Sequence, residues 1–471
     1  MNNDEHQTAS LLAENFMRVV NREVDDIHAQ IDDHHREVVR RNREVLKSIV
    51  ECLLFCARQN IALRGHGIDE GNFMALIQFR AEHDEVLRNH LNTAPKNATY
   101  LSPQIQNELL QTCAQVLRLK IVADCNESGM FAFLADECTD VSTREQVSIC
   151  VRFIQQGQLV KIREEFLGFV VAERTTGAAL ARTFMETLQN YGINREQMRA
   201  QSYDGAPNMA GIHNGVQAIV QREYQHAAYI YCRAHCLNIC IVHGCKIPLI
   251  RNMMDTMQQI AFAFKYSAKR LAVYDEELDR NANARELMDC KTKLQALCET
   301  RWASRAKALT TFKSPIEAVV SSLEIVAQDG DAKARAYKAS ILKFDFLITL
   351  VACEHVFRLL APLSEYLQTI DLDLVEACKE AKVIVDILSA ERNDEMVWQA
   401  LFENAVELAM SFEIEPSMPR RVGRQQHRDN VEADNPSEYW KRSMYLPLLD
   451  HLCAEMEEKL VLKKPAFTAH C

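Results

Sequence analysis

Two aspartates close apolar runs that are far apart in the chain: Asp136 ends FAFLAD and Asp204 ends MRAQSYD. Paired carboxylates at the C-terminal ends of two strands are what a metal-assisted phosphoryl-transfer site needs. Hard cations such as Mg²⁺ and Mn²⁺ take oxygen ligands, and two of them about 4 Å apart steady the attacking and leaving oxygens of a phosphodiester. A plainer reading stands beside this one, since Asp204-Gly205 is also a common turn signal. A third constellation follows AAYIYC, where Cys232 and His235 open a Cys/His-rich stretch. Cys236, Cys240 and His243 recur at i, i+4 and i+7, which puts them on one helix face within reach of a zinc ion. Structural zinc sites generally draw ligands from two elements, and the interleaved Leu237, Ile239, Ile241 and Val242 read as helix core. Zinc is therefore not expected there. Arg301, Trp302, Arg305 and Lys307 form a small basic patch around an indole that could equally be buried.

These residues need rigid elements to hold them. FAFLAD is continuous and apolar, as for a central strand buried on both faces. VSICVRFI and LVKIREEFLGFVV alternate and meet at Gln155-Gln156-Gly157-Gln158, which predicts an antiparallel hairpin. TTGAALARTFMETLQNYGI reads as an amphipathic helix stopped by Gly192, and GVQAIVQREY as a helix between the short strands MRAQSYD and AAYIYC. The order predicts an α/β core over 127–248: a mixed five-stranded sheet, with the hairpin and the parallel additions flanking the first strand. A helical region is predicted over 1–126 and a larger one over 249–412. The latter includes RNMMDTMQQIAFAFK, TKLQALCETRW and FDFLITLVACEHVFRLLAPLSEYLQ. A mobile loop over 413–438, rich in Pro, Arg and Asn, precedes a last helix and tail over 439–471.

The chain has 471 residues and a formal charge of −11 from 54 basic and 65 acidic side chains. An acidic chain gains no bulk counterion-release drive toward DNA, so a nucleic-acid role has to rest on sites. Sixteen cysteines are scattered rather than packed into a framework, which suits a reducing compartment, nucleus or cytosol. The start, MNNDEHQTASLLAENF, lacks the basic and apolar regions of a signal peptide. No uninterrupted apolar stretch of about 18 residues occurs, so no membrane association is expected.

Six motifs stand in one order: LRGH (Leu63–His66), LADECTD (Leu134–Asp140), SYDGAPNM (Ser202–Met209), CRAHCLN (Cys232–Asn238), ETRW (Glu299–Trp302) and YLPLLDHL (Tyr445–Leu452). Together they resemble the hAT superfamily of cut-and-paste transposases, in its domesticated, DUF4371-containing branch of repressor-like and zinc finger MYM-type proteins. The resemblance implies an RNase H-like core interrupted by a large all-α insertion. It implies that Asp136 and Asp204 are the first two catalytic carboxylates and ligands of Mg²⁺ or Mn²⁺. Cys232 and His235 match a motif near the scissile phosphate, and Trp302, next to Arg301, an aromatic that stacks on a base. The family's third carboxylate, a late Glu in a Ser/Ala-x-Glu-Arg-x-Phe-Ser motif beside the dimerisation helices, has no match before Cys471. Nor does any BED-, THAP- or TTF-type zinc module precede residue 126.

The expectation is an incomplete site in a domesticated or decayed protein that binds DNA or protein partners in the nucleus. A metal-dependent transposase or nuclease with a substituted carboxylate, drawn from Glu354, Glu365, Glu376 or Glu380, is one alternative. A protein-interaction scaffold is another. The oligomeric state is left open.

Overall fold

The computed structural model describes residues 11–14, 16–18, 20–21, 33–65, 71–139, 144–155, 157, 160–172, 174–281, 293–295, 297, 302–370, 372–419 and 431–462. The chain divides into two compact units, Met1–Ile121 and Val122–Cys471. In the first, helices α1 (Asp33–Arg58), α2 (Asn72–Ala81) and α3 (Glu85–Thr93) precede α4 (Pro103–Glu127). They close around Val45, Ile49, Leu53, Phe73, Ile77 and Leu87. Asp84 caps α3, accepting from Leu87 N at 3.0 Å and from the Ser48 hydroxyl at 2.6 Å.

The second unit opens with the sheet. Strands β1 (Phe131–Thr139), β2 (Glu145–Gln155), β3 (Lys161–Val171), β4 (Met198–Tyr203) and β5 (Ala228–Tyr231) lie in the order β3-β2-β1-β4-β5. The β1–β2 and β2–β3 pairs are antiparallel, whereas β1–β4 and β4–β5 are parallel. This is the mixed α/β sheet that the strand order predicts. Burial of β1 is less even than expected. Phe131, Phe133 and Ala135 are buried, while Ala132 and Leu134 are only half-buried, so one face is fully covered and the other partly.

The covered face packs on α5 (Gly177–Asn190), whose first turn is capped by Thr176. Phe133, Phe184 and Tyr203 meet there with ring centroids 5.4 to 6.0 Å apart. Such tilted aromatic pairs add to plain area burial. Helices α6 (Pro207–Ala210) and α7 (Val216–Glu223) lie between β4 and β5, and α8 (Arg233–Gly244) follows β5 directly.

The helices described beyond it are α9 (Pro248–Lys265), α10 (Ala268–Arg280), α11 (Trp302–Lys313), α12 (Ile316–Gln328), α13 (Ala332–Ile341), α14 (Phe344–Tyr366), α15 (Leu374–Asn393) and α16 (Glu395–Met410). Helix α14 is long and apolar enough to cross a membrane, although 72% of its apolar window is buried inside the protein. It serves here as the central core helix of the region.

Two expectations change. Residues Lys293–Gln295 and Leu297, expected as helix, are not helical. The Gln258 side chain holds both backbone groups of Leu297, accepting from its N–H at 2.6 Å and donating to its carbonyl at 3.1 Å. The loop expected to reach Glu438 ends earlier, at α17 (Pro436–Trp440), where Asn435 accepts from Glu438 N and the Glu438 side chain accepts from Asp434 N. Asn-Pro-Ser-Glu is itself a helix-start signal, with a capping residue, Pro at the first position and an acid two residues on. A π-turn over Lys441–Tyr445, helix α18 (Leu446–Met456) and a second π-turn over Glu457–Leu462 continue from it. Residues 420–430, with Arg420, Arg421, Arg424 and Arg428, lie outside the described residues.

Phe133 is fully buried between sheet and helix. Its replacement by Ala should cost about 3–5 kcal/mol, read as a lowered urea midpoint with an unchanged slope.

Candidate functional site

Parallel pairing sets the geometry. Phe133 lies opposite Gln201 and Leu134 opposite Ser202. Continuing that register carries Asp136 to the position beside Asp204, one residue beyond β4. Asp136 is exposed on β1 and Asp204 is half-buried. The Asp204 carboxylate accepts from Ala206 N at 3.1 Å, an Asx turn, and its carbonyl accepts from the Tyr229 hydroxyl at 3.0 Å.

Gly205 is required by packing. A Cβ there would stand 1.6 Å from the Tyr231 hydroxyl and 2.3 Å from its ring carbon. The same Tyr231 ring lies 6.1 Å from His235, tilted at 55°. Cys232 N donates to the Tyr203 carbonyl at 3.2 Å. Three motifs thus converge on one sheet edge. LADECTD brings Asp136, SYDGAPNM brings Asp204, and CRAHCLN brings Cys232 and His235.

Burial pushes the Cys232 thiol above its usual range. The His235 backbone N–H pulls against that, while the Asp136 and Asp204 carboxylates add to the rise. A raised thiol pKa weakens a cysteine as a nucleophile.

One acid at this edge escaped the sequence reading. Glu137 accepts from Asn208 Nδ2 at 3.1 Å, and that amide also donates to the Thr175 carbonyl at 3.0 Å. Its carboxyl is raised above the usual range, first by burial and then by Asp204, with Glu145 and Asp136 adding and Asn208 opposing. Adjacent acids in ADEC were the available signal, but strand alternation sends neighbours to opposite faces, so adjacency alone did not select it.

The donor set fits a hard divalent cation. Asp136 and Asp204 supply only oxygen, and a cation between them would relieve the like-charge crowding that Glu137 registers.

Other expected residues fall elsewhere. Arg301 lies outside the described residues. Trp302 opens α11, and its side chain also lies outside them. Cys236 and Cys240 are buried in the helical core, and burial pushes Cys240 up to about 12. Among the carboxylates weighed as replacements, Glu354 is 7% exposed and bound to Lys313 Nζ at 2.9 Å. Glu376 is exposed and paired with Lys379, and Glu365 lies 3.9 Å from Lys307. Glu380 is exposed on α15. The late motif YLPLLDHL is structural: the Tyr445 ring packs 5.0 Å from Trp398, and Asp450 pairs with Arg392.

Residues 1–215 match the family model described as DUF4371: ZMYM1/FAM200, RNase-like domain. The chain is similar to the "52 kDa repressor of the inhibitor of the protein kinase" of Homo sapiens, 24% identical over 435 residues. The protein of the same name from Mus musculus is 24% identical over 436 residues. Each alignment covers 88% of this chain and 56% of the relative, so the chain spans about half the length of the curated relatives it matches.

Two outcomes test the site. A raised carboxyl pKa means that the folded state binds the proton more tightly than the unfolded state, so ionising Glu137 costs stability. Glu137→Gln should therefore melt like wild type below the ordinary Glu value of about 4.3 and gain on it above that value, measured as melting midpoint against pH. Gly205→Ala must displace the Tyr231 ring and should cost about 1–3 kcal/mol, with Tyr231→Ala/Gly205→Ala costing less than the sum of the two single changes.

Proposed function

We propose that this chain, similar to the ZMYM1/FAM200 RNase-like domain over residues 1–215, is transposase-derived and that its RNase H-like core serves as a nuclear nucleic-acid-binding frame without strand-transfer activity. The arrangement that supports this reading is the shared edge of Asp136, Asp204, Cys232 and His235. Its two forward carboxylates have the oxygen chemistry for Mg²⁺ or Mn²⁺. A metal held there supplies the positive charge that a phosphate backbone needs beside an acidic edge.

The remaining acids favour binding over cleavage. Glu137 is tied to Asn208, and burial beside Asp204 raises its carboxyl above the usual range. Glu354 is locked to Lys313 inside the helical region. Phosphoryl transfer depends on charge placed and held at the reacting phosphate, and neither side chain is disposed to supply it. The relatives' name describes a repressor, which accords with a regulatory rather than a recombining role.

A scaffold reading has one observation of its own. Phe166 and Phe169 are exposed on β3 with ring centroids 4.9 Å apart, an aromatic patch suited to a protein partner.

Manganese titration of the purified chain, followed by calorimetry, tests the proposal together with a plasmid-nicking assay. Wild type should bind Mn²⁺, and Asp136→Asn/Asp204→Asn should bind it at least ~10-fold more weakly, by about 1.4 kcal/mol. Neither protein should nick DNA above background. Nicking by wild type that vanishes in the double variant would establish an enzyme instead, and equal Mn²⁺ binding by the two would remove the metal from the site.

A further inference from the structure

Among the described residues, one group of three metal-ligating side chains has its ligand atoms within 4.8 Å of one another: His243, His451 and Glu455. It lies away from the sheet edge, and it takes only His243 from the Cys236–Cys240–His243 face, whose two cysteines are buried in the core. His451 and Glu455 stand at i, i+4 on α18, so they project from one face of that helix. His243 comes from the last turn of α8. We propose that these three side chains form a zinc site that clamps the C-terminal helix α18 onto α8, the helix that carries Cys232 and His235 at its start.

The geometry is close to what the ion requires. Ligands at 2.0–2.2 Å around a tetrahedral zinc stand about 3.3–3.6 Å apart. His243 Nδ1 and Glu455 Oε2 are already 3.6 Å apart. The His243 and His451 rings lie with centroids at 6.3 Å, tilted at 58°, so only a modest ring rotation remains.

An outer bond is also in place. His451 Nε2 lies 3.2 Å from the Cys240 carbonyl. A carbonyl only accepts, so Nε2 carries the proton and the ring is held in one tautomer. This is the outer-shell arrangement typical of metal-bound imidazole. Glu455 also pairs with Lys459 through the same Oε2, which helps keep the carboxylate ionised; an ion bound at Oε2 displaces the Lys459 ammonium.

Two imidazoles and one carboxylate, drawn from two helices, are a zinc ligand set with a fourth position for water. The position in the fold gives the site its role. Gly244 sits against Leu448, His451 and Leu452, where an added Cβ would stand 3.2 Å from Leu448 and 3.4 Å from the His451 ring. Arg233 donates to the Lys459 carbonyl at 2.8 Å. The two helices are therefore already in close contact on either side of the cluster, and the ion adds a bond between them without moving either.

The test uses the full chain, stripped of metal by chelator and titrated with Zn²⁺ in the calorimeter. Wild type should bind one equivalent more than His243→Gln or His451→Gln, and zinc should raise its melting midpoint. The loss in each variant should exceed the roughly 10–100-fold that removal of an outer-shell partner costs. Asp136→Asn/Asp204→Asn should retain the zinc equivalent, which separates this site from the sheet edge. Metal-free melting of each variant should match wild type. If a histidine variant melts early, Glu455→Gln, which preserves the His451 bond to Cys240, carries the same comparison. Absence of zinc binding at micromolar concentrations overturns the proposal, as does a zinc equivalent that all three variants retain.

Discussion

The parallel pairing of β1 with β4 is the constraint on which the core depends. It lies at the centre of the sheet, with the antiparallel hairpin on one side and β5 on the other. A parallel pair cannot be joined by a tight turn, so the chain must leave the sheet and return through a crossover. Here the chain leaves β1 through the β2–β3 hairpin and returns to β4 by way of α5, whose Phe184 packs on Phe133 and Tyr203 of the two parallel strands. The register in turn decides which side chains reach the same end of the sheet. A shift of one residue would send Asp136 to the opposite face and separate it from Asp204. The chemistry of the edge thus follows from a packing contact on the other side of the sheet.

Much of this was legible from residue order. Apolar runs ending in Asp, a Gly-centred hairpin and two short strands separated by helices specify a mixed sheet, because few topologies accommodate that order. Asp204 and the Cys232–His235 tetrad could be placed at strand ends without knowledge of the fold, whereas Asp136, expected to end its strand, lies inside β1, which runs on to Thr139 in pairing with β2. Glu137 could not. Its place at the site depends on Asn208, more than sixty residues later, turning back to meet it, and no local pattern encodes that return. Lys293–Leu297 misled for a similar reason: its composition suits a helix, but the Gln258 amide takes over the backbone groups that helix bonds would have used. At Asn435–Glu438 the local signal was present, but the Pro- and Arg-rich composition around it obscured it.

The helical region shows a division between motifs that look alike in sequence. YLPLLDHL is as distinctive a string as CRAHCLN, yet, His451 apart, its side chains are spent on cohesion. Tyr445 packs on Trp398 and donates to Glu391 at 3.3 Å, while His355 lies 3.0 Å from the same carboxylate. Leu448, Leu449 and Leu452 are fully buried. Arg152 on β2 donates to the Leu372 carbonyl at 2.9 Å, so the sheet and the helices form one packed body in this unit. A distinctive motif therefore marks a position that the fold constrains tightly, and only its surroundings reveal whether the constraint is cohesion or chemistry.

The two π-turns that bracket α18 have a bearing on how this region tolerates change in length. Each π-turn accommodates one residue more than an α-helical turn without breaking the helix. A helix rotates about 100° per residue, so an added residue re-aims everything that follows it. The turn over Lys441–Tyr445 therefore sets the angular phase of α18 independently of α17. It lets Trp440 donate to the Ser417 carbonyl at 3.0 Å while Leu448, Leu452 and Met456 still face the core. Deleting one residue there would leave the hydrophobic content untouched yet swing the whole buried stripe out of alignment. In this stretch it is the count of residues, as much as their identity, that carries the structural information.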